Sequence, residues 1–242
     1  MSADRPRAVP VEEIARRRQR IGEDVSRAAR SRGRGPESVA LMAVTKGQSA
    51  ETVANAARSG LALFGENRVQ EGAAKIEALR GSFPGLSWRL IGPLQTNKAK
   101  TALQYFHVLE SLDRERLAAR LESLLAGEDR TLPVLLEINL AGEASKSGVS
   151  PEDAPALCES ALACPHLEVR GLMAVPPYDV DPEKSRPYFR RLAQLRDRLA
   201  AQFARPLPEL SMGMSHDYGI AVEEGATEIR VGTALFGPRE AI

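Results

Sequence analysis

The sequence predicts an α/β protein built as a single closed (β/α)8 barrel of the TIM type, and three observations carry that expectation. Short apolar runs alternate with amphipathic helical segments from one end of the chain to the other, the pattern of parallel strands joined by crossover helices. Eight such runs occur, with no composition break, internal repeat or linker between them, so 1–242 reads as one domain. Only eleven residues follow the eighth run, too few for a full eighth helix, while a long amphipathic segment precedes the first. An open doubly wound sheet is the rival arrangement, and alternation alone does not separate the two.

Taken in order, the helix before the first strand runs from about Val11 to Arg32, with Val11, Ile14, Ile21, Val25 and Ala28 on one stripe;. It is placed to complete the outer ring of the barrel. Its arginines (Arg16, Arg17, Arg18, Arg20, Arg27, Arg30, Arg32 and Arg34) are interspersed with Glu12, Glu13, Glu23 and Asp24. They read as a solvated face rather than a nucleic-acid patch, because no nucleic-acid-binding motif accompanies them. The strands are expected at Ala40–Val44, Leu61–Phe64, Trp88–Ile91, Phe106–Leu109, Val134–Leu140, Val169–Ala174, Glu209–Met212 and Glu228–Val231. Each is short, rich in Val, Leu or Ile, and mostly followed by Gly, Asn, Ser or Pro. Between them, Val53, Ala56, Ala57 and Gly60 form one helical stripe, Leu117, Leu121, Leu124 and Leu125 another, and Tyr188, Leu192, Leu195 and Leu199 the longest;.

Bulk properties restrict the function class. A net charge of +1 with 43% hydrophobic residues removes any general electrostatic case for nucleic acid or an anionic membrane as partner;. No run approaches the roughly 18 apolar residues of a membrane span, and MSADRPRAVP lacks a secretory core, so a cytoplasmic protein is expected. Cys158 and Cys164, six apart, match no metal pattern and read as packing residues in a reducing compartment;.

In a (β/α)8 barrel the chemistry sits at the carboxyl ends of the strands, which here gives a short list. Lys46 follows the first strand in AVTKGQS; FGENR follows the second, IGPLQTNK the third, NLAGEASKSG the fifth, MAVPP the sixth, SMGMSHD the seventh, and RVGTALFG forms the eighth with its loop. Ser215, Gly232 and Thr233 supply a hydroxyl and backbone N–H groups of the kind that cradle phosphate, with a helix beginning after His216 expected to help. Burial at the edge of an apolar core disfavours an ammonium, so a lysine such as Lys46 can present a free amine and form an imine with a carbonyl. Lysine plus phosphate cradle allows pyridoxal 5′-phosphate or a phosphosugar. Arg230, two residues before Gly232 and so on the same inward side, would stand as a cation where strong electron-sink enzymes place a carboxylate against the ring nitrogen.

The blocks AVTK, FGENRVQE, WRLIGPLQTNK, EASKSG, GLMAVPP, LSMGMS and IRVGTALFGPR resemble, in order and spacing from about Leu41 to Arg239, the pyridoxal phosphate homeostasis protein family, also called proline synthetase co-transcribed homologues. The resemblance implies a barrel like that of alanine racemase and pyridoxal phosphate held as a Schiff base on Lys46. It implies phosphate contacts from Ser215, Gly232 and Thr233, Arg230 by the pyridine nitrogen, and Asn67 near the ring. It also implies a cofactor-buffering or delivering protein, with pyridoxal-phosphate-dependent apo-enzymes as partners and effects on amino-acid and keto-acid balance. Two positions depart from the pattern. VTKGQS lacks the second lysine that members commonly carry after the first strand, and His216 stands where an acidic or small residue is frequent. Lys98 and Lys146 remain as secondary lysines that read as solvated loop residues.

A weak racemase or lyase is the alternative. Racemisation needs a base on each face of a planar intermediate, and in the racemases the second is a tyrosine from a further domain. The chain stops at Ile242, so that domain is expected to be missing and the protein to be a non-catalytic monomer. Tyr178 and Tyr218 lie on the functional face, whereas Tyr105 and Tyr188 do not. A phosphosugar aldolase would want a relay carboxylate, for which Glu66 is the nearby candidate.

Overall fold

The leading stripe folds as its periodicity dictates. Helix α1, Val11–Arg30, buries Ile14, Ile21, Val25, Ala28 and Ala29, and carries Glu12 and Glu13 in its first turn and Arg27 and Arg30 in its last, charges that complement the helix dipole. The computed structural model describes residues 8–143 and 146–238; MSADRPR, Ala144 and Ser145 of EASKSG, and Arg239 onward lie outside them.

Strand and helix then alternate as β1 (Ala40–Val44), α2 (Ala50–Arg58), β2 (Leu63–Glu66), α3 (Val69–Arg80), β3 (Ser87–Leu90), α4 (Ala99–Tyr105), β4 (Val108–Leu112) and α5 (Glu115–Leu125). The second half follows with β5 (Leu132–Glu137), α6 (Ala154–Leu162), β6 (Leu167–Met173), α7 (Arg186–Phe203), β7 (Glu209–Ser211), α8 (Tyr218–Glu223), β8 (Glu228–Val231) and α9 (Thr233–Phe236). The strands form a closed barrel in chain order. All pairs are parallel, and β1 against β8 closes the ring with Ala40 opposite Glu228 and Met42 opposite Arg230. The rival open sheet is thereby excluded. Helix α1 packs against α2, α8 and α9, filling the gap that the short α9 leaves in the outer ring.

Several boundaries differ from expectation for identifiable reasons. Strand β2 starts at Leu63 and runs on to Glu66, because Gly65 and Glu66 pair with Arg89 and Leu90 of β3 although they look like loop residues. Strand β4 is displaced to Val108–Leu112 and is buried throughout, including Glu110 and Ser111, whose polarity hides it from a search for apolar runs. After Glu137 the chain leaves the ladder; Ile138 bridges to Val149 instead. Gly60 lies beyond the end of α2 and is exposed. Cys158 is buried in α6 and Cys164 half-buried beyond it.

The arginines on and after α1 do not simply face solvent. Arg17 donates to the Leu235 carbonyl at 3.0 Å, Arg18 to the Ser59 carbonyl, and Arg34 to the carbonyls of Val222 at 3.0 Å and Ala226 at 2.7 Å. These carbonyls lie at or just beyond the C-terminal ends of α9, α2 and α8, where unsatisfied acceptors and the dipole favour a cation. The basic residues therefore fasten the extra helix to the ring.

Inside the barrel, below the mouth, the filling is charged rather than the usual branched aliphatic layers. Arg89 of β3 meets Glu110 of β4 at 3.1 Å, Glu209 of β7 at 2.7 Å and Glu228 of β8 at 3.3 Å. The Ser211 hydroxyl lies 2.6 Å from Glu110 and 3.0 Å from Glu228, and accepts a hydrogen bond from Arg230 at 2.7 Å. This network links the floor of the barrel to its mouth.

Candidate functional site

Alternation along each strand decides which side chains reach the mouth. From Arg230 the same side continues to Gly232, and from Val44 to Lys46. A cavity of about 470 Å³ opens there, lined by Lys46, Asn67, Ser215, Arg230, Gly232 and Thr233 together with Val44, Ile91, Glu137, Asn139, Lys146 and His216. The volume suits a small organic molecule. All six residues singled out from the sequence thus share one cavity.

Each is placed by its local structure. Lys46 leaves β1 just before Gly47, whose φ of +74° is a left-handed turn that a bulkier residue adopts at a cost. This turn gives Gly47 a local reason. Ser49, three residues after Lys46, caps α2 by accepting the Thr52 N–H at 3.1 Å;. Asn67 follows β2, and the β3 loop approaches it so closely that a Cβ at Gly92 would stand 2.2 Å from the Asn67 carbonyl oxygen. Only glycine fits in IGPLQTNK at that point.

The β7 and β8 loops meet at Ser215. Its hydroxyl oxygen accepts the backbone N–H of Gly232 at 3.3 Å and of Ala234 at 3.1 Å. Two amide donors converging on one oxygen mark a spot built for an acceptor, and a phosphate oxygen is the stronger form of the same partner. The turn that carries Ser215 is fixed by buried Asp217, which accepts the Met214 N–H at 2.7 Å. The helix expected after His216 is α8, which opens at Tyr218, but it has only six residues and α9 four, so the donors at this spot are individual N–H groups more than a helix dipole.

Arg230 is 4% exposed. Besides Ser211, its guanidinium donates to the Ala174 carbonyl at 2.8 Å, so the buried cation has acceptors while still lining the mouth.

Among the other residues weighed from the sequence, Glu66 is fully buried and does not line the cavity. It is engaged by Lys75 at 2.7 Å and by the Thr45 hydroxyl at 2.6 Å, which removes it as a relay carboxylate beside Lys46. The Tyr218 hydroxyl is turned outward onto Asp24 of α1 at 2.8 Å, and burial and that carboxylate push its pKa up to about 12. Tyr178 is 76% exposed; its ring lies against His216, with centroids 5.3 Å apart, giving His216 a packing partner at the rim. Lys146 lines the cavity and pairs with Glu143 at 2.7 Å, whereas Lys98 sits in the turn Thr96–Lys98 outside it.

Glu137 was missed. It ends β5, faces the cavity, and has one carboxylate oxygen buried without a protein partner. Burial, assisted by the charge of Asp113 and opposed by Arg230, pushes its pKa up to about 7. The signal was a single carboxylate inside the apolar run VLLEINL.

A profile of the family described as "Alanine racemase, N-terminal domain" matches residues 21–240. The "Pyridoxal phosphate homeostasis protein" of Aquifex aeolicus is 48% identical over 181 residues, 75% of this chain and 78% of that protein. The protein of the same name from Escherichia coli is 37% identical over 188 residues, 77% and 80% of the two chains. Among solved structures, PipY of Synechococcus elongatus with PLP bound superposes with a TM-score of 0.81 at 35% identity, covering 93% of this chain and all (100%) of that one. Alanine racemase from Corynebacterium glutamicum gives 0.70 at 17% identity, covering 97% of this chain and 63% of that one, a likeness of fold.

Proposed function

The chain belongs to the pyridoxal phosphate homeostasis proteins, and on that premise we propose that it binds pyridoxal 5′-phosphate reversibly, through a Schiff base on Lys46, and buffers it or delivers it to apo-enzymes. The observation that supports this reading most is the sharing of one cavity by Lys46, the Ser215–Gly232–Ala234 cradle and the Arg230 guanidinium. When bound, the cofactor supplies an aldehyde and an electron-withdrawing ring. In this reading Ser215, Gly232 and Thr233 hold the phosphate, Asn67 lies near the ring, and Arg230 keeps the ring nitrogen unprotonated. The whole of 1–242 works as one cytoplasmic, monomeric cofactor-binding unit, with consequences for amino-acid and keto-acid balance.

The same residues support a non-catalytic role. A cation beside the ring nitrogen weakens the electron sink that amino-acid chemistry needs. The Tyr218 hydroxyl, held on Asp24 outside the mouth, is not placed as a base opposite Lys46.

The test is an absorbance spectrum of the protein loaded with pyridoxal phosphate, then borohydride reduction and peptide mass mapping. A visible band abolished by reduction, with the pyridoxyl phosphate mass on the Lys46 peptide, is the expected result. Uptake of the cofactor without modification of Lys46 overturns the assignment. Incubation with L-amino acids is expected to yield no D-isomer or keto acid at a rate above free pyridoxal phosphate; sustained turnover would make the protein an enzyme.

A further inference from the structure

The two peptide groups flanking the Cα of Lys46 are both held by side chains from β2 and α3. On one side the Thr45 carbonyl accepts a hydrogen bond from Lys75 Nζ at 2.6 Å, and the Thr45 hydroxyl donates to Glu66 Oε1 at 2.6 Å. On the other side the Gly47 N–H donates to Glu71 Oε1 at 2.6 Å. Lys75 joins the halves, donating to Glu66 Oε1 and to Glu71 Oε1, each at 2.7 Å. Three acceptors match the three hydrogens of the ammonium group.

This cluster sits where an outer-ring helix meets the sheet, a place that apolar side chains ordinarily fill. Lys75 is 6% exposed and Glu66 and Thr45 are fully buried, so the charges carry a desolvation cost that an apolar pair avoids. Its hydrogen bonds converge on the peptide units of one residue, and that residue is the lysine lining the cavity. With the Thr45 carbonyl and the Gly47 N–H both held, the two peptide planes about the Lys46 Cα are tethered.

We propose that Lys75, Glu66 and Glu71 form a positioning cluster that fixes the backbone at Lys46, aiming its Nζ into the cavity for reversible capture of an aldehyde. The proposal rests on the Lys46 reading above. In the capture step Nζ adds to the aldehyde carbon, a carbon–nitrogen double bond replaces the carbonyl, and the carbonyl oxygen leaves as water with the two amine hydrogens. None of the three side chains touches the aldehyde; they act through Lys46, by keeping it in the attacking geometry.

The test compares Glu71→Ala, Glu71→Gln and Lys75→Met with the unaltered protein, with Lys46→Ala as control. Two readouts are taken: the second-order rate at which the imine band grows on mixing with pyridoxal phosphate, and amide exchange at Gly47 in cofactor-free protein. Glu71→Ala is expected to slow imine growth about tenfold and to speed Gly47 exchange, while Glu71→Gln, which keeps an acceptor for Gly47, restores most of both. Lys75→Met is expected to slow imine growth further. Because Glu71 is 30% exposed at its side chain, its variants decide the matter even where Lys75→Met does not fold. Unchanged imine growth in folded Glu71→Ala overturns the proposal, whatever the change in melting temperature. An imine band that survives in Lys46→Ala overturns the Lys46 reading itself, and mass mapping of the modified peptide tells the two failures apart.

Discussion

Glu137 shows what one side chain at a cavity wall does to the pH response of the protein. Its pKa moves from an ordinary 4.5 to about 7 through burial, with Asp113 adding to the shift and Arg230 opposing it. Below pH 4.5 both the folded and the unfolded chain carry the proton. Between 4.5 and 7 the unfolded chain releases it while the fold retains it, so stability falls as pH rises through that window, by about 3 kcal/mol in all. Glu137→Gln removes this slope. Urea denaturation of cofactor-free protein should find the variant more stable than the parent at pH 8, by up to about 3 kcal/mol, with the gap closing toward pH 5. A gap independent of pH would rule this out. Lys46, Asn67, Ser215 and Gly232 were legible as site candidates because each stands at a strand end within a motif. Glu137 was not, because a carboxylate in an apolar run belongs equally well to a cavity wall or to an ion pair. Lys75 is illegible for a related reason: its partners are Thr45 just after β1, Glu66 of β2 and Glu71 of its own helix, and only docking unites them.

At the scale of elements, periodicity located α1, α2, α5 and α7 but gave no stripe for α3, whose twelve residues include buried Gly72 and Lys75. Four of the five α1 stripe residues are buried, Val11 is half-buried, and Ala29 joins the buried face. What the stripe could not show is how the arginines around it are used, since their acceptors are carbonyls at the ends of other helices. Arg34 spans Val222 and Ala226, and hydrogen bonds from a charged donor contribute about 1.5–3 kcal/mol. Arg34→Ala should therefore lower the unfolding free energy by about 2 kcal/mol, a loss that an exposed arginine such as Arg16 (77% exposed at its side chain) should not reproduce. Parallel urea titrations of the two variants check this. Ser49→Ala, removing the cap of α2, should cost about 1 kcal/mol. Strands β2 and β4 lie beyond the apolar runs that mark them in the sequence, because Glu66 at the end of β2 and Glu110 and Ser111 within β4 are buried against partners from elsewhere in the chain.

For the molecule as a whole, counting strands and finding a spare leading helix were enough to foresee closure; nothing local announced a charged interior. The barrel interior holds Arg89 and Arg230 with Glu110, Glu209 and Glu228. Burial, then the neighbouring Glu110, hold the Glu228 carboxyl well above its usual range. The parent should therefore lose stability relative to Glu228→Gln as pH rises above the ordinary carboxylate range. Arg89→Met, which strands buried carboxylates, should cost about 3–5 kcal/mol. Urea titrations of both variants at several pH values check this.

The pairing of β1 with β8 has a consequence in time. Lys46 lies just after the first strand and Arg230, Gly232 and Thr233 in or just after the last, so the cavity unites the two ends of the chain only when the ring shuts. Contacts of such long sequence separation form late, after the entropy of closing the intervening loop has been met. A ribosome-bound chain lacking β8 has the amine but half the cradle. Ligand capture is therefore a readout of completed folding: in a refolding experiment the visible band should appear no earlier than the slowest phase seen by tryptophan fluorescence.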